Sequence, residues 1–465
     1  MRLFSKWLSM AMVLVFVAVA AGCGKSGDTP EAGKTPATEQ KQDTTPDTVK
    51  VWTYPVHGKY EDDIKVLIAD FNAKYPHIKV EYEILSWAEG PKKFDVALNA
   101  GSPPDLYFGG MNGQYVSTGL AMPIDSYLAV SEETKKDFLP GTLETMQFGG
   151  KQYGLPLYQS LWGWGANKRI LDEAGVDYKK IQENGWTWPE FLEVAKKLNK
   201  KLPDGSQQYA LVTDGTSIDF LDMITRNAGL VDAVDAKGNF IWNDQRIVDA
   251  LKFISTLVKD GYMPKETVAL APAKRTEMFY AGQAAIISKA IPYYDVMIAN
   301  RNKDIDAGKI KGEKIEYIQL PVPHSPSVNG YGVTTGGGEG YIAFTQKGAN
   351  NEQHKKNTFL VMEALTGAKA GNSANELCLP FVRNSQAKEF AGKGLAKEIN
   401  FNVSKKMREN LAPQVALSID VDKAAKLKQY REQVEKPNFQ AVLAGEKTPE
   451  AAAEELKTKG QQMLR

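Results

Sequence analysis

From residue 49 to residue 108 the apolar residues switch period repeatedly, and this alternation limits the fold more than any single motif. Residues 49–54 form a short β-rich run, Val-Lys-Val-Trp-Thr-Tyr. Ile64, Leu67, Ile68 and Phe71 follow at the i, i+3, i+4, i+7 spacing of one buried helix face. Ile78, Val80, Tyr82 and Ile84 then alternate with Lys79, Glu81 and Glu83, as in a half-buried strand. Phe94, Ala97 and Leu98 return to helical spacing and Gly101 reads as the C-cap. Asp105, Leu106, Tyr107 and Phe108 make a third strand. Strands alternating with helices imply a parallel sheet covered by helices.

The same grammar continues downstream. Thr187-Trp188-Pro189-Glu190 has capping-box spacing, and Phe191, Val194, Ala195 and Leu198 form the helix face behind it. Ile247, Ala250, Leu251, Ile254 and Val258 make another face. Residues 284–288 and 341–345 read as buried strands, and helices are expected from Asn351 and from Thr448-Pro449-Glu450. No fixed-period repeat is present. The folded part exceeds 400 of the 465 residues, more than one core usually fills, so two lobes are expected.

The N-terminus constrains location. Arg2 and Lys6 precede an apolar run over residues 7–21, and Cys23 follows Ala20-Ala21-Gly22. A basic start, a short apolar stretch and small residues describe a secretory signal over residues 1–22. The small residues before Cys23 resemble a bacterial lipobox, with Ala20 where Leu is usual, so Cys23 is the expected lipidation site. Residues 24–48 hold no apolar side chain larger than Ala and read as a flexible spacer. Without the two basic residues of the leader, 55 basic residues face 56 acidic ones, a balance that gives no footing for nucleic acid. With Cys23 lipidated, Cys378 is a lone thiol, and Leu379, Pro380 and Phe381 beside it point to burial.

Several pieces in order carry a family resemblance: Phe71-Asn72-Ala73-Lys74-Tyr75-Pro76, then Ala100-Gly101-Ser102-Pro103-Pro104-Asp105-Leu106, then Gly119-Leu120-Ala121-Met122-Pro123-Ile124-Asp125. Gly150-Lys151-Gln152-Tyr153-Gly154-Leu155-Pro156-Leu157-Tyr158, Trp188-Pro189-Glu190-Phe191 and the stretch from Met278 to Ile286 follow. With the lipobox, this order resembles the extracellular solute-binding proteins of carbohydrate ABC transporters, the group that includes maltose-binding protein. The resemblance implies a two-lobed α/β fold of the type II periplasmic-binding-protein kind, each lobe a mostly parallel sheet covered by helices. The expected N-lobe holds residues 49–157 and 329–372, and the C-lobe 158–328 and 373–465, with residues 23–48 as tether. It further implies a carbohydrate ligand, membrane ABC permease subunits as partners, a monomer, and a position at the outer face of the bacterial cytoplasmic membrane, held by the lipid alone.

Sugars offer C–H faces to flat rings and hydroxyls to paired donors and acceptors. Candidates are therefore aromatic and polar residues on loops near the implied cleft. Trp52, Tyr54 and His57 end the first strand, and Trp87 follows the second. Asn112 follows the Gly109-Gly110 turn. Tyr158 stands at the expected crossing between lobes, and Trp162 and Trp164 just beyond it, with rings on one side if the segment is a strand. Tyr293 follows the strand at 284–288. Gly337 lies in a run, residues 336–340, that resembles the family's glycine turn near the hinge. Arg383 reads either as a bidentate ligand contact or as a surface ion pair. Trp186, Trp188 and Trp242 read as structural.

No cofactor is expected. The glycine run lacks the Gly-Lys-Ser/Thr of a phosphate loop, and His57, His77, His324 and His354 form no metal-type cluster. No hydrolase or zinc-peptidase motif is present, so binding without catalysis is expected. The alternatives are a binding protein for a non-sugar solute and, further off, a glycan-processing enzyme with two carboxylates.

Overall fold

A computed structural model describes residues 44–464 apart from 88, 236, 347, 349, 350, 396 and 410–418. The secretory leader, Cys23 and most of the spacer lie outside the described residues.

The described chain builds two five-stranded sheets. In the first, strand Asp47–Thr53 lies between Ile78–Ile84 and Leu106–Gly109, parallel to both. Gly338–Ala343 runs antiparallel beside Leu106–Gly109, and Gly154–Gln159 closes the edge antiparallel to that strand. Helix Tyr60–Lys74 buries Tyr60, Ile64, Ile68 and Phe71, the face read from its spacing. Helix Glu352–Thr366 packs on three strands of this sheet and on helix Tyr60–Lys74. Leu106, Tyr107 and Phe108 are all buried, as a strand covered on both faces requires.

The second sheet has the order Tyr317–Leu320, Gly163–Asn167, Ala284–Ala290, Gln207–Val212, Lys200–Lys201. Ala284–Ala290 runs parallel to Gln207–Val212 and antiparallel to Gly163–Asn167. The capping box forms: the Thr187 N–H donates to Glu190 Oε2 at 2.7 Å, and helix Trp188–Leu198 follows. Trp186 and Trp188 donate their indole N–H groups to the carbonyls of Pro321 and Pro323, at 2.8 and 3.1 Å. These rings and Trp242 are buried, so the three tryptophans hold structure.

Two crossings lie side by side and form a short ribbon between the sheets. The Ser160 N–H donates to the Gly337 carbonyl at 3.0 Å, and the Trp162 N–H to the Thr335 carbonyl at 3.1 Å. The glycine run allows this approach. A Cβ on Gly336, whose φ is +114°, would meet the Ser160 carbonyl oxygen at 2.4 Å. One on Gly340 would meet the Leu155 carbonyl oxygen at 2.2 Å.

A third crossing falls later than residue 373, the boundary expected from the sequence. Helix Asn384–Glu389 still belongs to the first lobe: Ser385 donates its N–H to Asp137 at 2.8 Å, and Gln386 reaches the Thr366 carbonyl at 3.1 Å. Helix Glu398–Glu409 packs on strand Tyr317–Leu320 of the second sheet. Asp47 also lies within the first strand, paired with Ile78, although the sequence places it in the spacer. Its carboxylate accepts from Asn357 Nδ2 at 2.7 Å, a partner 310 residues away that no local pattern discloses.

Candidate functional site

The site is assembled where loops at the strand ends of both lobes meet the crossing ribbon. Gly110 and Met111 follow strand Leu106–Gly109, Gly338 and Glu339 open strand Gly338–Ala343, and Trp162, Thr335, Gly336 and Gly337 belong to the ribbon. Helix Asp219–Arg226 contributes Asp219, Asp222 and Arg226 from the second lobe. Asp232 and Arg431 complete the wall. These residues enclose a cavity of about 270 Å³. Helix termini and strand ends expose such loops, which is where open α/β sheets place ligands.

Trp162 is the aromatic ring of this wall. The Lys289 ammonium stands 4.9 Å over its centroid, a cation–π contact. Lys289 is itself held by Asp219, in a close ion pair, and by Asp214 at 3.6 Å. Its φ is +53°, in the left-handed region that β-carbon-bearing residues avoid, and the pairing with Gly163–Asn167 shifts register around it. A strained backbone at a bulge thus aims a lysine at the ring that lines the cavity. Asp214, 1% exposed, also receives Arg275 at 3.1 Å.

The opposite part of the wall is a network of charges. Arg431 donates to Asp232 at 3.0 Å and lies 3.9 Å from Glu435, whose side chain is fully buried. Burial pushes the carboxyl of Glu435 far up, and the attraction of Arg431 offsets only part of that. Burial likewise raises Asp222 against the pull of Arg431 and Arg226, and lowers Arg226. On the first lobe, Glu339 accepts from Tyr158 Oη at 2.7 Å and from Ser160 Oγ at 2.9 Å. Desolvation raises its carboxyl, with the two hydroxyls pulling the other way.

The residues expected from the sequence are distributed unevenly around this cavity. Trp162 and Gly337 line it, and Tyr158 stands behind it, holding Glu339. Trp164 does not share a surface with Trp162. It is wholly buried, edge-on to Phe191 at 5.0 Å, with its indole N–H on Met223 Sδ. Residue 162 lies before the strand starts at Gly163, so strand alternation does not extend to it. Asn112 is the N-cap of helix Gly113–Ser117, its side chain accepting from the Gln114 N–H at 2.9 Å. Arg383 is buried in the first lobe, neither in the cavity wall nor on the surface. It donates to Thr366 Oγ1 at 2.7 Å and lies over the Phe138 ring at 4.0 Å, and burial lowers it to about 10.

Four more lie on the first lobe and do not line the cavity. Tyr54 is buried, stacked on Trp87 at 4.3 Å and bonded to the Tyr107 hydroxyl at 2.7 Å. Trp87 is 53% exposed. Trp52 carries Lys93 over its ring at 4.5 Å. His57 is buried 3.3 Å from Asp63, at ion-pair range without hydrogen-bond alignment, and desolvation lowers its pKa. Burial raises the hydroxyl of Tyr293, from the second lobe, and the backbone of Gly58 in the first pulls it the other way. Cys378 is buried, with φ +57° and its thiol pushed up to about 12 by desolvation. Among the described residues no three His, Cys, Asp or Glu side chains group as a metal site.

Sequence reasoning missed Asp219, Asp222, Arg226, Asp232, Glu339 and Arg431. One cue was available: residues 219, 222 and 226 fall at i, i+3, i+7, a polar stripe on a helix that buries Phe220, Leu221, Met223 and Ile224.

Two helix-covered lobes around one charged cavity, joined by crossing segments, define a two-lobed binding protein. The chain belongs to the bacterial extracellular solute-binding protein family, whose model matches residues 57–372. Its fold is that of an ABC substrate-binding protein from Listeria monocytogenes solved with cycloalternan: TM-score 0.69 at 16% identity, covering 90% of this chain and 98% of that one. An arabinooligosaccharide-binding protein of Halalkalibacterium halodurans is 23% identical over 332 residues, 70% of this chain and 68% of that protein. An uncharacterised lipoprotein of Streptomyces antibioticus is 30% identical over 138 residues, 29% of this chain and 30% of that protein.

Proposed function

We propose that this protein captures a carbohydrate in the interlobe cavity and delivers it to a membrane ABC permease. One observation carries the reading: the Trp162 ring shares a single cavity with four carboxylates and two guanidinium groups drawn from both lobes. A ring offers a surface for sugar C–H groups, and fixed acids and guanidinium groups pair with hydroxyls. Contacts made to both lobes at once favour the closed form, so ligand binding and hinge closure are one equilibrium. The ligands named for the Listeria and Halalkalibacterium proteins, both oligosaccharides, support the same class here.

The protein works outside the cytoplasm, tethered through Cys23 to the outer face of the membrane. The sequence of residues 1–23 and the likeness to the Streptomyces lipoprotein support this reading. A lipid anchor and a spacer keep the receptor at high local concentration near its permease. Mass spectrometry of the mature N-terminus tests it: a lipid adduct on Cys23 is expected, and an unmodified residue removes the tether while leaving binding intact.

Calorimetry against mono- and oligosaccharides tests the binding reading. At least one sugar is expected to bind, and Trp162→Ala to weaken it tenfold or more, about 1.4 kcal/mol. No response to any sugar, with binding of another solute class, overturns it.

A further inference from the structure

Each carboxylate on the cavity wall has a traceable counter-charge, with one exception. Asp219 is paired with Lys289. Asp232 receives Arg431 at 3.0 Å. Asp222 stands in the field of Arg431 and Arg226. Glu339 meets only hydroxyls, Tyr158 at 2.7 Å and Ser160 at 2.9 Å, and forms no ion pair with any Lys, Arg or His among the described residues. The cations of the other elements face other acids: Lys289 faces Asp219 and Asp214, Arg275 faces Asp214, Arg431 faces Asp232, and Arg226 stands in the field of Asp222 and Asp232. The remaining wall around it is uncharged, made of Gly110, Met111, Thr335 and the glycines up to Gly338.

The two hydroxyls do more than satisfy this carboxylate. Each donates one hydrogen bond to a different oxygen, so the group is fixed in place and its remaining acceptor sites belong to the cavity. A carboxylate away from bulk water and without a cation either takes up a proton, the direction in which burial pushes Glu339, or stays ionised against a partner that supplies positive charge. A neutral hydroxyl supplies a hydrogen bond alone. A protonated amine supplies the hydrogen bond and the missing charge, and charge-assisted bonds are the stronger kind.

We propose that the ligand is an amino sugar whose protonated amine sits against Glu339. This rests on the carbohydrate reading above and narrows it to one class. Glu339 opens the strand that follows the second crossing, while Tyr158 and Ser160 flank the first, so the ammonium contact falls where both crossings meet. Ligand charge is thereby presented to the hinge itself.

The test is calorimetry on the full mature protein near neutral pH, where a sugar amine keeps its proton and the Glu339 carboxyl is more fully ionised than in acid. The probes are glucosamine and its β-1,4-linked dimer and trimer, their N-acetylated counterparts, glucose and cello-oligosaccharides, and spermidine. The amine-bearing sugar is expected to bind at least tenfold more tightly than its N-acetyl and hydroxyl counterparts. That preference is expected to fall below threefold in Glu339→Gln, which keeps size, turns one of the two acceptor oxygens into a donor and removes the charge. If the variant does not fold, the wild-type protein decides alone, since the preference must decline as pH rises and the amine loses its proton. Equal or tighter binding of a neutral counterpart overturns the amino-sugar assignment and leaves the carbohydrate reading standing. Binding of spermidine with silence from every sugar overturns both, and silence from every probe overturns the amino-sugar assignment.

Discussion

Lys289 concentrates several physical demands on one residue. Its left-handed φ of +53° costs a β-carbon-bearing residue on the order of 1 kcal/mol relative to glycine, and its ammonium is shared by Asp214, Asp219 and the Trp162 ring. Two substitutions separate these roles. Lys289→Ala and Lys289→Gly both lose the cation, so both weaken sugar binding. Glycine alone relieves the strain, so the glycine variant unfolds at higher urea than the alanine variant, by about 1 kcal/mol. Equal midpoints would mean the backbone there carries no strain. Lys289→Arg retains charge and is expected to restore most of the affinity, which a purely structural role in folding would not require. The wider residue pattern explains what could be read in advance. Trp162 and Gly337 stood out because tryptophans and glycine runs are rare. Glu339 and Asp222 did not, because 56 acidic residues look alike until the fold buries a few of them.

Elements were more legible than sites. The helices Tyr60–Lys74, Trp188–Leu198 and Gln245–Lys259 follow directly from apolar spacing, since each buries one stripe. What spacing does not encode is how elements are fastened together. Helix Glu352–Thr366 is fastened to the first sheet through His354, whose Nδ1 lies 3.0 Å from Asp47 and whose Nε2 lies 3.1 Å from Asp105. Hydrogen bonding to Asp105 and Asp47 raises this imidazole to about 9. A folded value above the unfolded one, about 6.5, means the contribution is complete below pH 6.5. It is lost as pH rises through 9. Wild type is therefore expected to lose on the order of 2 kcal/mol between pH 6.5 and pH 10 that His354→Gln does not lose. Parallel urea midpoints for the two proteins across that range would remove the clasp as a source of stability. The glycine run tests the other fastening. Gly340→Ala places a Cβ 2.2 Å from a backbone carbonyl, which no rotamer change relieves, so a destabilisation of about 1–3 kcal/mol is expected in the urea midpoint. A midpoint within error of wild type would show that the two crossing strands yield easily.

At the scale of the molecule, the two lobes touch away from the cavity as well as around it. The Tyr293 hydroxyl of the second lobe lies within the influence of the Gly58 backbone of the first, beside an ion pair of Lys59 with Glu376 at 3.6 Å. Tyr293 does not line the cavity, so any influence on affinity passes through the lobe–lobe equilibrium. A polar contact of this kind contributes at most about 1 kcal/mol, roughly a fivefold shift between open and closed forms. Tyr293→Phe removes the hydroxyl and keeps the ring. It is expected to weaken every bound sugar by the same factor, at most about fivefold, because one conformational equilibrium taxes all ligands equally. Small-angle scattering is expected to show a larger radius for the ligand-free variant than for ligand-free wild type, and equal radii at saturation. A loss that differs between sugars would instead place the hydroxyl in direct contact with ligand, and would extend the binding surface beyond the cavity lined by Trp162.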